Sequence, residues 1–150
     1  MSNRRRVLAS AMLAAFSASL VACAGAQTQS NVMNIRASLA GSAEVPPNSS
    51  AGTGMAEVRF DRDTNELSWT VTYSGLTGPV IGAHIHGPAA VGGNAPVLIP
   101  FSNVGQSPIT GKAQLTSTQV TQLMSGLMYV NLHTAAHPGG ELRAQLTPPR

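Results

Sequence analysis

The chain has 150 residues, 43% of them apolar and only 10% charged, which excludes intrinsic disorder as the default and predicts one globular domain. Its 15 glycines and 10 prolines favour short strands joined by turns over long helices. The formal charge of +3 lies in the leader, since nine basic residues become six without Arg4, Arg5 and Arg6, against six acidic residues. The remaining basic residues are scattered, which argues against nucleic-acid binding.

Residues 1–22 are predicted to be a bacterial export signal, because a basic start precedes an apolar stretch rich in Ala and Leu. That stretch is shorter than the roughly 20 residues of a membrane-spanning helix. The sequence LVAC at 20–23 matches a lipobox, in which Cys23 is lipidated and becomes the new N-terminus. The alternative is a signal of residues 1–26, cleaved after the A-x-A site AGA.

Both cleavage sites predict an exported protein of the periplasm or cell surface, and the lipobox adds a membrane anchor through lipid alone. The sequence RRRVL at 4–8 fits twin-arginine export as well as a general basic start, so the export route stays open. Cys23 is the only cysteine, so no disulfide can form within the mature chain.

A flexible tether at residues 23–34 is predicted to precede an all-β domain at 35–148. In the domain, apolar residues recur at every second position in short runs that end at glycine- or proline-rich turns, which is typical of half-buried strands. The clearest pair is residues 56–60 with 67–73, joined by DRDTNE. Further strands are predicted at VIGAHIH, VLIPF, ITGKAQL, LMYVNLHT and ELRAQL.

One short helix is predicted between ITGKAQL and LMYVNLHT. Thr116 is its expected N-cap, Gln119 completes a capping box three residues later, and Gly126 closes the C-terminus. The predicted fold class is therefore an all-β Greek-key β-sandwich with one short connecting helix.

The four histidines fall in two places, His84 and His86 in one predicted strand and His133 and His137 near the end of another. Residues i and i+2 of a strand share a face, so His84 and His86 project together. If the two strands pair, three or four imidazoles converge. The opposite, covered face of the first strand is expected to carry Ile81, Ala83 and Ile85.

Histidine nitrogens without cysteine or carboxylate favour copper as the bound metal, with zinc as the alternative. The second ring nitrogen of each ligand needs an acceptor, for which Glu141, Asn131 and backbone carbonyls are the predicted candidates. The alternative interpretation is structural: His84 and His86 form cross-strand hydrogen bonds, and His137 caps the following turn. No spacing marks a catalytic nucleophile, so no catalytic residue is predicted.

Five motifs occur in this order between about residues 35 and 147: LAGSAEVPP, GTGMAEVRFD, LSWTVTYSGL, GAHIHGPA, and YVNLHT followed by HPGGELRAQL. Together they resemble the CHRD domain, named for its repeats in chordin and found singly in bacterial exported proteins. The resemblance implies an extracellular or envelope β-sandwich with no established enzymatic activity.

A remoter resemblance links the chain to copper/zinc superoxide dismutase, a Greek-key β-sandwich whose copper is held by an HxH pair and a later histidine. It implies copper ligands at His84, His86 and His133. The long zinc loop, the cysteine pair and the bridging histidine of that family have no counterparts here, which puts bimetallic dismutase chemistry in doubt.

The predicted function is a non-catalytic, exported envelope CHRD protein that binds an unidentified protein partner or a metal. One alternative is a mononuclear copper protein for metal handling or dismutase-like redox protection. Another is a surface adhesion or matrix module, which requires an exposed apolar patch.

Overall fold

The computed structural model describes residues 31–149. The predicted export signal, both cleavage sites, Cys23 and the tether as far as residue 30 lie outside the described residues. Within residues 31–149, no helix combines the length and hydropathy needed to cross a membrane.

The described chain forms eight strands and one α-helix. The strands are β1 (Val32–Ala40), β2 (Thr53–Asp61), β3 (Glu66–Ser74), β4 (Val80–His86), β5 (Val97–Pro100), β6 (Ile109–Gln114), β7 (Met128–Thr134) and β8 (Leu142–Leu146). The helix α1 (Ser117–Met124) lies between β6 and β7, and a 3-10 turn (Gly41–Ala43) follows β1.

The strands form one antiparallel sheet in the order β5-β4-β7-β8-β1-β2-β3-β6. Strands β1 and β8 share a single pairing, Ala40 with Arg143, so two four-stranded halves meet there. Side chains from both halves belong to one apolar core. The predicted all-β sandwich with one short helix is confirmed.

The two edge strands are connected directly, because residues 101–108 lead from β5 at one edge to β6 at the other. Tyr73 Oη donates a hydrogen bond to the carbonyl of Val104 over 2.9 Å. The rings of Trp69 and Phe101 stack with centroids 4.4 Å apart. The sheet is therefore nearly closed.

Strand β1 begins at Val32, three residues before the expected start of the domain at Ile35. It pairs with β2 along its whole length, from Val32 opposite Asp61 to Ala40 opposite Thr53. Met33 is buried in the core. Residues 32–34 thus belong to the sheet, because β2 offers pairing partners beyond Ile35.

The ends of α1 form as the sequence predicts. Thr116 Oγ1 accepts from the N–H of Gln119, and the Gln119 side chain accepts from the N–H of Thr116, so the capping box is confirmed. Gly126 adopts φ 68°. The N–H of Leu127 bonds to the Gln122 carbonyl over 2.9 Å, which completes a Schellman motif.

Strand β4 contains a bulge that changes which side chains face the core. Val80 pairs with Thr134 and Gly82 pairs with His133, which leaves Ile81 as the extra residue. Ile81 is 61% exposed, so its predicted place on the covered face was wrong. Ala83 and Ile85, beyond the bulge, are buried as predicted.

Candidate metal centre

Pairing of β4 with β7 brings three histidines together. His133 lies opposite Gly82, and Asn131 lies opposite His84, so His133 is diagonal to His84 on the same face. One ring nitrogen from each of His84, His86 and His133 lies within 4.8 Å of the other two. His84 Nδ1 and His133 Nε2 are 3.2 Å apart.

His137, the fourth predicted ligand, is not a member of this cluster within residues 31–149. It lies in the turn between β7 and β8, where its backbone N–H bonds to the carbonyl of Thr134 over 3.1 Å. An i, i+4 spacing would join His133 and His137 on a helix, but this segment leaves the strand and turns back. The cluster therefore has three members.

Gly82 leaves room for two of the rings. A Cβ atom at this position would lie 3.3 Å from Cε1 of His84 and 3.8 Å from Cδ2 of His133. The first distance is tighter than ordinary van der Waals contact. A larger residue would press on the His84 ring and change the geometry of the cluster.

Backbone carbonyls fix two of the imidazoles. His86 Nδ1 lies 3.0 Å from the carbonyl oxygen of Ala95, and His133 Nδ1 lies 3.0 Å from that of Pro138. A carbonyl oxygen only accepts, so Nδ1 carries the proton in both rings. Each ring therefore keeps an Nε2 lone pair. That of His133 accepts a hydrogen bond from His84 Nδ1–H, so an ion that binds these two nitrogens must displace one proton.

Of the predicted acceptors, backbone carbonyls lie beside two of the rings, whereas the side chains of Glu141 and Asn131 bond to other residues. Glu141 accepts hydrogen bonds from Thr134 Oγ1, Ser50 Oγ and Thr77. Asn131 donates to Glu44. The carbonyl beside His86 comes from the loop between β4 and β5, and the one beside His133 comes from the turn after β7.

All three imidazoles favour the neutral state. Burial lowers the pKa of His84 below its ordinary value, and the neighbouring His133 and His86 lower it further. Burial also lowers the pKa of His86 and of His133, although each hydrogen bond to a carbonyl raises it in part. Neutral imidazole is the form that binds metal ions.

The donor set fits a single metal ion. Two nitrogens bound to one tetrahedral ion at about 2.0 Å are about 3.3 Å apart, close to the observed separation of His84 Nδ1 and His133 Nε2. The remaining donor, His86 Nε2, is buried and has no hydrogen-bond partner in the described part of the chain. All three donor nitrogens lie within 4.8 Å of one another.

Two side chains that the sequence did not indicate as site residues stand beside the cluster. The ring of His86 stacks on that of Tyr129, with centroids 4.9 Å apart and planes 5° apart. The guanidinium carbon of Arg143 lies 3.5 Å from the centroid of the Tyr129 ring. The sequence signal for Tyr129 was its position four residues before His133 in β7, because residues separated by an even number along a strand share a face.

Fold and site together define an all-β sandwich domain with a three-histidine cluster on one sheet face. The family model of the CHRD domain matches residues 35–146, and the chain belongs to this family. No curated protein and no solved structure matches the chain.

Proposed function

We propose that this chain is an exported envelope protein whose CHRD domain holds one copper ion, with zinc as the alternative. The ligands are His84 Nδ1, His86 Nε2 and His133 Nε2. The observation that carries the proposal is the convergence of three ring nitrogens, one of them buried without a partner among residues 31–149.

The ligand set supports a role in binding and handling the metal. Three neutral imidazoles suit copper and zinc, and leave at least one coordination position open. Copper supplies one-electron redox chemistry when bound, whereas zinc supplies charge alone. His84 and His133 are partly exposed, so an ion can reach the cluster from solvent.

Copper titration of the processed protein tests the metal assignment. After dialysis against a mild chelator, we expect one equivalent of Cu(II) to bind and to give an electron paramagnetic resonance spectrum with nitrogen couplings. The variants His84→Ala, His86→Ala and His133→Ala should each lose at least tenfold in affinity. Competition with Zn(II) decides between the two ions.

His137→Ala is the matched control, because it removes the remaining histidine of the chain without touching the cluster. It should bind Cu(II) like the wild type. The metal site is refuted if the wild type retains no copper, or if all four variants bind copper equally well.

Export and lipidation form a separate part of the proposal, supported by the leader and the position of Cys23. Fatty-acid labelling in a bacterial host should modify the wild type and not Cys23→Ser. An unlabelled but exported wild type would instead indicate cleavage after Ala26.

The adhesion alternative stays a prediction that no observation favours. In the described part of the chain, four large apolar side chains are exposed, and they belong to different elements: Ile81 in β4, Val91 in the loop after it, Val97 in β5 and Met124 in α1.

A further inference from the structure

We propose that Arg143 is a positioning residue for the metal centre, acting through the loop of residues 87–96, here named the covering loop. Arg143 holds this loop so that the carbonyl of Ala95 keeps His86 in one tautomer, with Nε2 free for the ion. The inference rests on the proposed function, but its first step concerns the metal-free protein.

The covering loop is bonded to the sheet face that points away from the core. On β8, Leu142, Ala144 and Leu146 face inward, whereas Arg143 and Gln145 face the loop. Gln145 Nε2 donates to the carbonyl of Ala89 over 2.9 Å. The N–H of Ala89 itself bonds to the carbonyl of Leu127 over 2.9 Å.

Arg143 makes two further attachments to the covering loop. Its Nη2 donates to the carbonyl of Gly93 over 2.6 Å, and its Nη1 donates to Oδ1 of Asn94 over 3.0 Å. The side chain belongs to a residue only 1% exposed, in the middle of a sheet. A buried guanidinium is costly unless its donors are bonded, and Gly93 and Asn94 of the loop supply these bonds to a charge that the loop covers.

Tyr129 links the guanidinium to the histidine. Its ring contacts the Arg143 guanidinium from the β8 side and stacks with His86 from the β4 side. Its Oη accepts from the N–H of Ala95 over 3.1 Å. Tyr129 therefore fixes both the plane of the His86 ring and the residue whose carbonyl bonds that ring.

The position of the covering loop determines which ring nitrogen of His86 carries the proton. The carbonyl of Ala95 accepts from His86 Nδ1 over 3.0 Å, which only the Nδ1–H tautomer allows. A displaced loop would free the ring to exchange tautomers and to rotate, and Nε2 would then be protonated for part of the time. Such a ring binds a metal ion more weakly, because the proton must first move.

The test begins on the processed protein after removal of metal. Long-range ¹H–¹⁵N NMR of the imidazoles should show His86 as the Nδ1–H tautomer in the wild type and as a mixture in Arg143→Met. Cu(II) affinity should then fall 10- to 100-fold in Arg143→Met, the usual range when a metal ligand loses the partner that orients it. Arg143→Lys should restore part of the Nδ1–H population of His86 and part of the Cu(II) affinity, because its ammonium group can still reach the carbonyl of Gly93.

Arg59→Met is the matched control, since this arginine lies on the exposed face of β2 beside Asp61. It should leave the tautomer unchanged and copper affinity within twofold. If Arg143→Met does not fold, Asn94→Ala removes an exposed partner of the same guanidinium, and Tyr129→Phe removes the bond to Ala95 but keeps the stacked ring. Both should move the tautomer in the same direction.

An Nε2–H tautomer in the wild type overturns the inference, as does an Arg143→Met protein with wild-type tautomer and affinity. The proposed function can fail separately. If the protein never binds copper but the His86 tautomer still depends on Arg143, the metal assignment is refuted and the role of Arg143 in orienting His86 stands.

Discussion

The amide of Asn131 donates a hydrogen bond from Nδ2 to Oε2 of Glu44 over 3.1 Å and ties β7 to the segment after β1. Glu44 is only 4% exposed, and among the described residues its Oε1 has no hydrogen-bond partner. Burial raises the pKa of this carboxyl group to about 7, although Asn131 and Arg143 lower it in part. The fold therefore favours the protonated acid.

The substitution Glu44→Gln is expected to stabilise the protein at neutral pH. The unfolded chain loses this proton near pH 4.5 and the folded chain near pH 7, so wild-type stability falls as pH rises between these values. The variant should match the wild type near pH 4.5 and exceed it by at most about 3 kcal/mol at pH 8. Urea unfolding followed by circular dichroism at both pH values measures the difference. The account would be contradicted if the difference in unfolding free energy between variant and wild type did not change with pH. The same gain in the exposed control Glu57→Gln would also contradict it.

The pKa of Glu141 is lowered, in contrast to that of Glu44. Burial alone would raise its pKa, but hydrogen bonds from Thr134, Ser50 and Thr77 outweigh it and lower the pKa to about 2. The charged form thus contributes stability above pH 4.5 that is lost as the pH falls towards 2. Glu141→Gln should cost about 1–3 kcal/mol at pH 7, with the gap to the wild type narrowing in acid.

The control for Glu141 is Glu66→Gln, which removes an exposed ion pair with Lys112 and should cost less than about 1 kcal/mol. Denaturant unfolding at pH 7 and pH 3 measures both variants. The account is wrong if the penalty in Glu141→Gln is the same at the two pH values.

Gly140 and Gly139 form a matched pair in the turn before β8. Gly140 adopts φ 132°, and a Cβ atom there would lie 2.6 Å from both Asn131 Oδ1 and Glu44 Oε1. Gly139 has nothing within 4 Å of the same point. Thermal unfolding should show Gly140→Ala destabilised by at least about 2 kcal/mol, and Gly139→Ala changed by less than about 1 kcal/mol. Equal effects would show that the turn does not approach Glu44 this closely.

The bulge in β4 predicts unequal effects for two isoleucines of the same strand. Ile85 is fully buried, so Ile85→Ala should cost about 2–5 kcal/mol. Ile81 is exposed, so Ile81→Ala should stay within about 0.5 kcal/mol. Chemical denaturation of the two variants compares them directly, and a large cost at Ile81 would mean that β4 follows an unbroken alternation.

Local sequence patterns were sufficient for much of the fold. Alternation located β2, β3 and β4, and the spacing of Thr116 and Gln119 located the start of α1, because these features depend on neighbours within a few residues. The HxH pair likewise indicated that two imidazoles share a face. The CHRD resemblance implied the same β-sandwich class independently of periodicity.

The contacts that orient the site depend on residues far apart in the chain. The carbonyl of Ala95 bonds to His86, and Arg143, about 50 residues later in the chain, bonds to Gly93 of the same loop. Glu141 is tied to Ser50 rather than to a histidine. No local period encodes which loop crosses which sheet face, or where a bulge such as that at Ile81 shifts the alternation.

The stacked pair of Trp69 and Phe101 spans the two halves of the sandwich, and Trp69 is the only tryptophan of the chain. Any opening between the edge strands separates these rings and admits water to an indole that is otherwise buried. The protein thus contains its own optical reporter of closure: a red shift in tryptophan emission follows the separation of the halves, whether or not the histidines hold an ion.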